Sequence, residues 1–333
     1  MPSILVIRLT SLGDVILATG LVRQLQQSLP NAAIDVAVDA RFAEVWAHNR
    51  RVRNVFAVDR ATRRSADLID WVAHAPYDVI VDLQKNRRSK QIVADVHPPS
   101  STSVVTVPKH RLEKLALVWL KRRPRVITPV TQRYWKAVSK LGVAYDDGQP
   151  EVWTPDGLTT STLRMSAIGL APGARHDTKR WPAERYAELA RMLVLERSEQ
   201  VMLLGGVDDA DVCDSVERLA GVPLLRADGA TDLASTVAAL DRCRLVVSND
   251  SAIMHLARAR NVLVVAVFGS TVRELGFAPT GPQVRIVERP DVACRPCSHI
   301  GRDSCPQGHF DCMRRIAAAD VLAAVDELTP VAP

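Results

Sequence analysis

Short apolar runs alternate along this chain with longer stretches in which apolar residues recur every three or four positions. The runs predict strands at Ile4–Arg8, Ile34–Val38, Val52–Val58, Asp78–Leu83 and Ser103–Val107, then at Ser166–Ala171, Gln200–Leu204, Leu245–Ser248 and Leu263–Phe268. The stretches between them predict helices at Asp14–Ser28, Arg41–His48, Arg64–His74, Arg88–Val96, Arg111–Lys121 and Gln132–Leu141, and in the second half at Ala183–Glu196, Asp209–Leu219, Thr231–Leu240, Ser251–Arg258 and Ala318–Leu328. Period-two and continuous apolar runs that alternate with period-3.6 stretches read as βαβ units on parallel sheets. The interval Arg122–Pro155 breaks the alternation with Pro124, Pro129, Gly142, Gly148, Pro150 and Pro155, so the domain connection is placed near its end. The expected architecture is α/β: a doubly wound Rossmann-like domain over 1–155, a second over 156–317, and a terminal helix and tail over 318–333. Open parallel sheets bind ligands at the carboxyl ends of their strands, so the chemistry is sought just after each strand, in a cleft that the two domains would share.

Composition leaves that picture in place. The 333 residues are 47% hydrophobic and 24% charged, with few aromatics, as in globular α/β proteins. No apolar run reaches the roughly 18 residues of a membrane span, and the first residues lack the pattern of a signal peptide. The expected location is therefore the cytoplasm, with the six cysteines reduced or metal-bound. Charge adds one feature: residues 1–155 hold 23 Lys and Arg against 14 Asp and Glu, and the rest holds 20 against 23. A basic half suggests an anionic partner. Sparse aromatics offer little for base stacking, so single-stranded nucleic acid is disfavoured.

The strand ends carry the candidate chemistry. The first ends in Arg8-Leu9-Thr10-Ser11-Leu12-Gly13-Asp14. Its one glycine, Gly13, permits close backbone approach or positive φ; a dinucleotide fingerprint needs three, so a nicotinamide-dependent dehydrogenase is disfavoured. Asp14 either accepts a proton from a substrate hydroxyl or simply caps the helix that follows. Arg60, Arg63 and Arg64 follow the third strand, and Lys85, Arg87, Arg88 and Lys90 the fourth, where guanidinium groups could match phosphate or carboxylate. A third basic group, Lys109, His110, Arg111, Lys114, Lys121, Arg122 and Arg123, flanks the apolar Leu115–Leu120; a packed helix with snorkelling cations is preferred there over a membrane-surface element.

In the second half, the strand ending at Ala171 runs into Pro172-Gly173-Ala174-Arg175-His176-Asp177-Thr178-Lys179, where Lys179 can meet a leaving phosphate. Asp208 and Asp209 follow Gly205-Gly206 and can accept from ribose hydroxyls. Asn249, Asp250, Ser251 and Ala252 open a helix with His255 one turn inside, a place for an anion on free amides. Gly269-Ser270-Thr271 adds further donors. Cys294, Cys297, Cys305 and Cys312 admit a four-thiolate zinc site, but only one pair is close, so reduced thiols bracing an irregular loop are preferred and no metal is assigned.

Ile7–Ala18 (IRLTSLGDVILA), Pro172–Pro182 (PGARHDTKRWP), Ser248–Ala259 (SNDSAIMHLARA), Val267–Thr271 (VFGST) and Cys294–Cys312 together resemble glycosyltransferase family nine, the bacterial heptosyltransferases of lipopolysaccharide inner-core assembly. The resemblance implies the two-domain GT-B fold. It also implies inversion without an essential metal or cofactor, ADP-L-glycero-D-manno-heptose as donor, and a Kdo- or heptose-bearing lipid A core as acceptor at the inner face of the cytoplasmic membrane. Asp14 matches the family's base, Lys179 its diphosphate lysine, and Asp250, Ser251 and His255 its donor loop. Gly173, Arg175, Thr178, Asp208, Asn249 and Ala252 complete the expected donor side, and Ser11, Gly13, Arg60, Arg63 and Arg64 the acceptor side. The cysteine stretch and lysine loop look more like the enzymes that add the second heptose. The expected assembly is a monomer. Two other classes stay open: a nucleotide-sugar epimerase, which would consume donor without acceptor, and a non-catalytic nucleotide- or nucleic-acid-binding protein.

Overall fold

The computed structural model describes residues 1–62, 64–123, 128–155 and 167–330. Arg63, Ser166, the expected boundary at 155/156 and the last residues of the tail lie in part or whole outside them. The chain forms two compact units, Met1–Lys109 with Val130–Thr159, and His110–Pro129 with Thr160–Pro333.

The first unit runs β1 (Ser3–Ile7), α1 (Leu12–Ser28), β2 (Ala33–Asp39), β3 (Asn54–Val58), α2 (Ala66–His74), β4 (Val79–Asp82), α3 (Arg87–Asp95) and β5 (Ser103–Thr106). Next in sequence, α4 (Arg111–Trp119) groups with the second unit, and α5 (Val130–Val138) with the first. The sheet order is β3-β2-β1-β4-β5, all parallel. The order in which strands are added reverses between β1 and β4, which pair from Ile4↔Val79 to Ile7↔Asp82. α1 is buried on almost every face from Val15 to Leu25, as a largely apolar central helix should be, with buried Thr19 and Gln24 hydrogen-bonded to Ile16 O and Asp146. Gly20 is required within it: a Cβ there would stand 2.4 Å from the Gly148 carbonyl oxygen. The helix expected over Arg41–His48 is instead a 3₁₀ segment, Ala40–Trp46, begun by the Asp39 carboxylate accepting from the Arg41 amide at 3.3 Å.

The second unit runs β6 (Ala167–Ala171), α6 (Ala183–Arg197), β7 (Val201–Gly206), α7 (Ala210–Ala220), β8 (Leu225–Ala230), α8 (Leu233–Asp241), β9 (Cys243–Asn249), α9 (Ala252–Ala259), β10 (Leu263–Phe268), β11 (Val284–Glu288), α10 (Asp311–Arg314) and α11 (Ala318–Leu328). Its parallel sheet has the order β11-β10-β9-β6-β7-β8, with the reversal between β6 and β9. Both sheets therefore have the doubly wound topology, each with its ligand-binding switch point beside its first strand.

β8 and β11 had no counterpart in the sequence pattern. Both are sheet edges: β8 reads LRADGA and is nowhere fully buried, and β11 is mostly half-buried. An edge strand needs little apolar surface, so its period-two signal is weak.

The largest correction concerns His110–Pro129. α4 packs Leu117 against Val272, Leu275 and Phe277. The Lys121 ammonium donates to the carbonyls of Val118 (2.8 Å), Cys294 (3.0 Å) and Pro296 (2.6 Å), and Arg123 pairs with Glu274 at 3.1 Å. This segment carries six Lys and Arg against one Glu, so moving it leaves the first unit with 17 cationic against 14 acidic residues and the second with 26 against 23. The charge imbalance belongs to one twenty-residue segment rather than to the first domain.

Candidate functional site

In the first unit, β1 delivers its loop to the reversal point. Arg8 NH1 donates to the Leu83 carbonyl (2.6 Å), and the amides of Leu9 and Thr10 both donate to Gln84 Oε1 (3.1 Å each), so the loop is fastened to the end of β4. Asp14 stands in the first turn of α1. Its Oδ2 accepts from the Ser11 amide (3.2 Å) and hydroxyl (2.9 Å), which is helix capping. Its Oδ1 is paired with Arg8 NH2 and accepts from the Tyr134 hydroxyl at 3.2 Å. Tyr134 reaches it from α5, and Arg8 also lies over the Tyr134 ring, 5.6 Å from its centroid.

Four donors on two oxygens match the acceptor capacity of a carboxylate. Burial pushes the Asp14 pKa up, but the Arg8 charge and the bonds from Arg8 and Ser11 outweigh it and hold the group below its ordinary value. Desolvation and the neighbouring Asp14 anion push the Tyr134 phenol far above its usual range, so it stays protonated and donates to Asp14. The sequence does not single out Arg8 or Tyr134: Arg8 reads as the end of a strand, and Tyr134 lies 120 residues from Asp14, on the helix expected at Gln132–Leu141.

Gly13 lies inside α1 and is not among the glycines of positive φ. Of the cationic candidates, Arg60 is exposed after the edge strand β3, and Arg64 pairs with Asp95 (3.3 Å) rather than standing by Asp14. Arg63 falls outside the described residues. Arg88 pairs with Asp39 at the carboxyl end of β2, at 3.3 Å.

A pH prediction follows from the Asp14 environment. A base works when ionised, and Arg8 depresses the carboxyl pKa, so activity should persist on the acid side below the usual carboxylate value of about 3.9. Removing the charge in Arg8→Gln leaves burial as the dominant influence and raises that pKa. The acid limb of kcat/KM should therefore move to higher pH; an unmoved limb in the pH profile would separate the limb from Asp14.

In the second unit, the loops after β6 and β9 meet at the reversal point. Lys179 Nζ lies 2.8 Å from Asp250 Oδ2 and 3.4 Å from the Asp250 carbonyl. The Thr271 hydroxyl donates to the same Oδ2 at 2.7 Å. An ammonium has three donors, so at least one remains for a ligand. Beside this node α9 begins, with Ser251 as N-cap and half-buried Ala252 leading its first turn. His255 is buried within α9.

Several residues expected to touch donor are structural ties. Asn249 is fully buried: its Oδ1 accepts from the Trp181 amide (3.0 Å) and the Tyr186 hydroxyl (3.2 Å), and its Nδ2 donates to Pro172 O (2.8 Å) and Gly173 O (3.3 Å). It thus locks the two loops together and has no capacity left for a ligand. Thr178 donates to Arg302 O (3.0 Å) and accepts from the Arg302 amide (2.8 Å) and the Ser270 hydroxyl (3.1 Å). Ser270 and Thr271, offered by the sequence as ligand donors, turn inward in the same way. Arg175 is exposed, with no side-chain partner among the described residues.

Asp208 is exposed, whereas Asp209 is the acid turned toward the β6 loop. A Cβ at Gly173 would run into the Asp209 carboxylate, so a larger residue there would displace that side chain. The Asp209 carboxylate also accepts from the Gly206 amide (3.1 Å), and burial raises its pKa. The fully buried Trp181, stacked edge-on against Tyr186 at 4.9 Å, pins the loop two residues beyond Lys179.

The cysteine stretch braces this region. Arg295 is buried and donates to the carbonyls of Phe268 (3.0 Å), Gly269 and Thr271 (3.1 Å), and pairs with Glu288. Among the described residues, no group of three or more His, Cys, Asp or Glu is placed to hold a metal ion. Cys312 sits in the core, its thiol pushed up to about 12 by burial, and Cys294 Sγ is 3.9 Å from His309 Nε2.

Residues 67–305 match the family model described as glycosyltransferase family 9 (heptosyltransferase). Lipopolysaccharide heptosyltransferase 2 of Salmonella typhimurium is 29% identical over 293 residues, covering 80% of this chain and 82% of that protein. A glycosyltransferase family 9 structure from Veillonella parvula superposes with a TM-score of 0.76 at 22% identity, over 98% of this chain and 97% of that one. The structure of Escherichia coli ADP-heptose lps heptosyltransferase II superposes with a TM-score of 0.67 at 22% identity, over 98% and 100%.

Proposed function

The chain belongs to glycosyltransferase family 9, and from that premise we propose that it transfers heptose, with inversion and without an essential metal, from ADP-L-glycero-D-manno-heptose to the Kdo- or heptose-bearing inner core of lipid A. The second unit takes the donor. Lys179 and the amides opening α9 carry the diphosphate and stabilise the charge that grows on it as the glycosidic bond breaks. Asp250 orients Lys179, Arg175 supplies a second cation, and Asp209, rather than Asp208, is the acid available to the ribose. The observation that carries this reading is the Lys179–Asp250–Thr271 node at the sheet reversal beside an open helix start.

The first unit takes the acceptor. Asp14 is the base: the attacking hydroxyl replaces the exposed Ser11 hydroxyl on Oδ2 and gives up its proton there, while Arg8 and Tyr134 keep Oδ1 fixed. Arg60, Arg63 and Arg64 meet the acceptor's phosphates or carboxylates. The enzyme works as a monomer in the cytoplasm, peripherally at the inner membrane face; among the described residues no helix is long and apolar enough to cross a membrane.

A nucleotide screen by thermal shift tests the donor assignment, because a ligand raises Tm by mass action. ADP should stabilise the protein more than UDP or GDP at equal concentration. Equal responses to all three would remove the adenine preference, and consumption of donor without acceptor would point to an epimerase.

A further inference from the structure

α4 has apolar residues on two opposite sides. Leu117 is buried against Val272, Leu275 and Phe277. On the other side Leu112 is 82% exposed, Leu115 53% and Trp119 73%, with Leu120 at 66% just beyond the helix end. At 3.6 residues per turn, Leu112, Leu115 and Trp119 fall within an arc of about 60°. Leu117 packs on the second unit, and Lys121 and Arg123, just beyond the helix end, are tied to the same unit, so this face points away from that packing. Clustered exposed apolar residues mark an interaction surface, unlike a scatter of single ones.

The charge around the patch selects the occupant. His110–Pro129 carries six Lys and Arg against one Glu. Arg111 and Arg122 are exposed, with no ion pair among the described residues. A symmetric second copy would bring this basic rim against itself. An anionic bilayer complements it: leucine and tryptophan enter the boundary between headgroups and acyl chains while the arginines meet lipid phosphates. We propose that α4 is the element that docks this protein on an anionic phospholipid surface. The inference shares with the proposed function its lipid-borne acceptor but rests on the exposure of α4.

Co-flotation with vesicles of phosphatidylcholine, with or without phosphatidylglycerol, tests this without donor or acceptor, so failure here leaves the transfer reading standing. The wild-type protein should float with the phosphatidylglycerol vesicles, less so as salt rises. Leu112→Ser/Trp119→Ser should lower partitioning about tenfold or more, as expected from losing a leucine-sized anchor. Arg111→Gln/Arg122→Gln should weaken binding to the anionic vesicles specifically. Both variants should keep the ADP-induced rise in Tm, which shows that they fold. The proposal is overturned if the wild-type protein does not float, or if the serine variant floats equally well. It is also overturned if sedimentation velocity shows that this variant converts a dimer to a monomer, since the face would then belong to a second copy.

Discussion

Asp14→Asn should lose about 10²–10⁴-fold in kcat while ADP binding is kept, the range for removing a positioned general base. The amide keeps the shape of the side chain and its capping role toward Ser11 but cannot take a proton. The substitution also leaves the largely buried Arg8 cation without its anion, and breaking such a pair costs up to about 3–5 kcal/mol. A drop in Tm is therefore expected alongside the loss of turnover. The double variant Arg8→Gln/Asp14→Asn separates the two effects: it removes the orphaned charge, so Tm should recover while turnover does not. Single-turnover rates near wild type in Asp14→Asn, with donor bound, would show that the proton goes elsewhere.

Lys179→Ala should reduce kcat/KM about 10²–10³-fold, as when one preorganised charge is taken from a developing anion, and should abolish most of the ADP-induced rise in Tm. Lys179 also pairs with Asp250 at 2.8 Å, and that second role makes a distinct prediction. If neutralisation were all it did, Lys179→Ala/Asp250→Asn would restore ADP binding. With Lys179 as the diphosphate's own partner, the double variant stays weak. Lys179→Arg should rescue poorly, because a planar fork does not replace a compact ammonium held between Asp250 and a phosphate.

The motifs just named were legible because each stands where an apolar run stops at polar residues: β1 into Ser11–Asp14, β6 into the lysine loop, β9 into Asn249–Ser251. Long-range contacts were not. Arg8, Tyr134 and Gln84 meet in the first unit from widely separated positions, and nothing in their local sequence announces it. Hydroxyls and amides were misjudged for a related reason. Thr178, Asn249, Ser270 and Thr271 look the same in sequence whether they bind ligand or brace loops, and their buried polar groups are satisfied internally. Asp208 and Asp209 are adjacent acids in sequence, and only the structure shows that Asp208 is exposed while Asp209 lies against Gly173. Chain order places α4 with the first domain, whereas its packing places it in the second unit. Its anchors, Val272, Leu275 and Glu274, lie over 150 residues on. Its cations therefore count toward the second unit, and its outer apolar face is exposed where a packed helix would cover it.

Product analysis after incubating the purified protein with ADP-L-glycero-D-manno-heptose and a heptose-bearing lipid A core tests the central claim most directly. The account predicts release of ADP matched one for one by acceptor that gains a single heptose by mass spectrometry, with the new linkage opposite in anomeric configuration to the donor. ADP release without heptosylated acceptor, or a product that retains the donor's configuration, would contradict it.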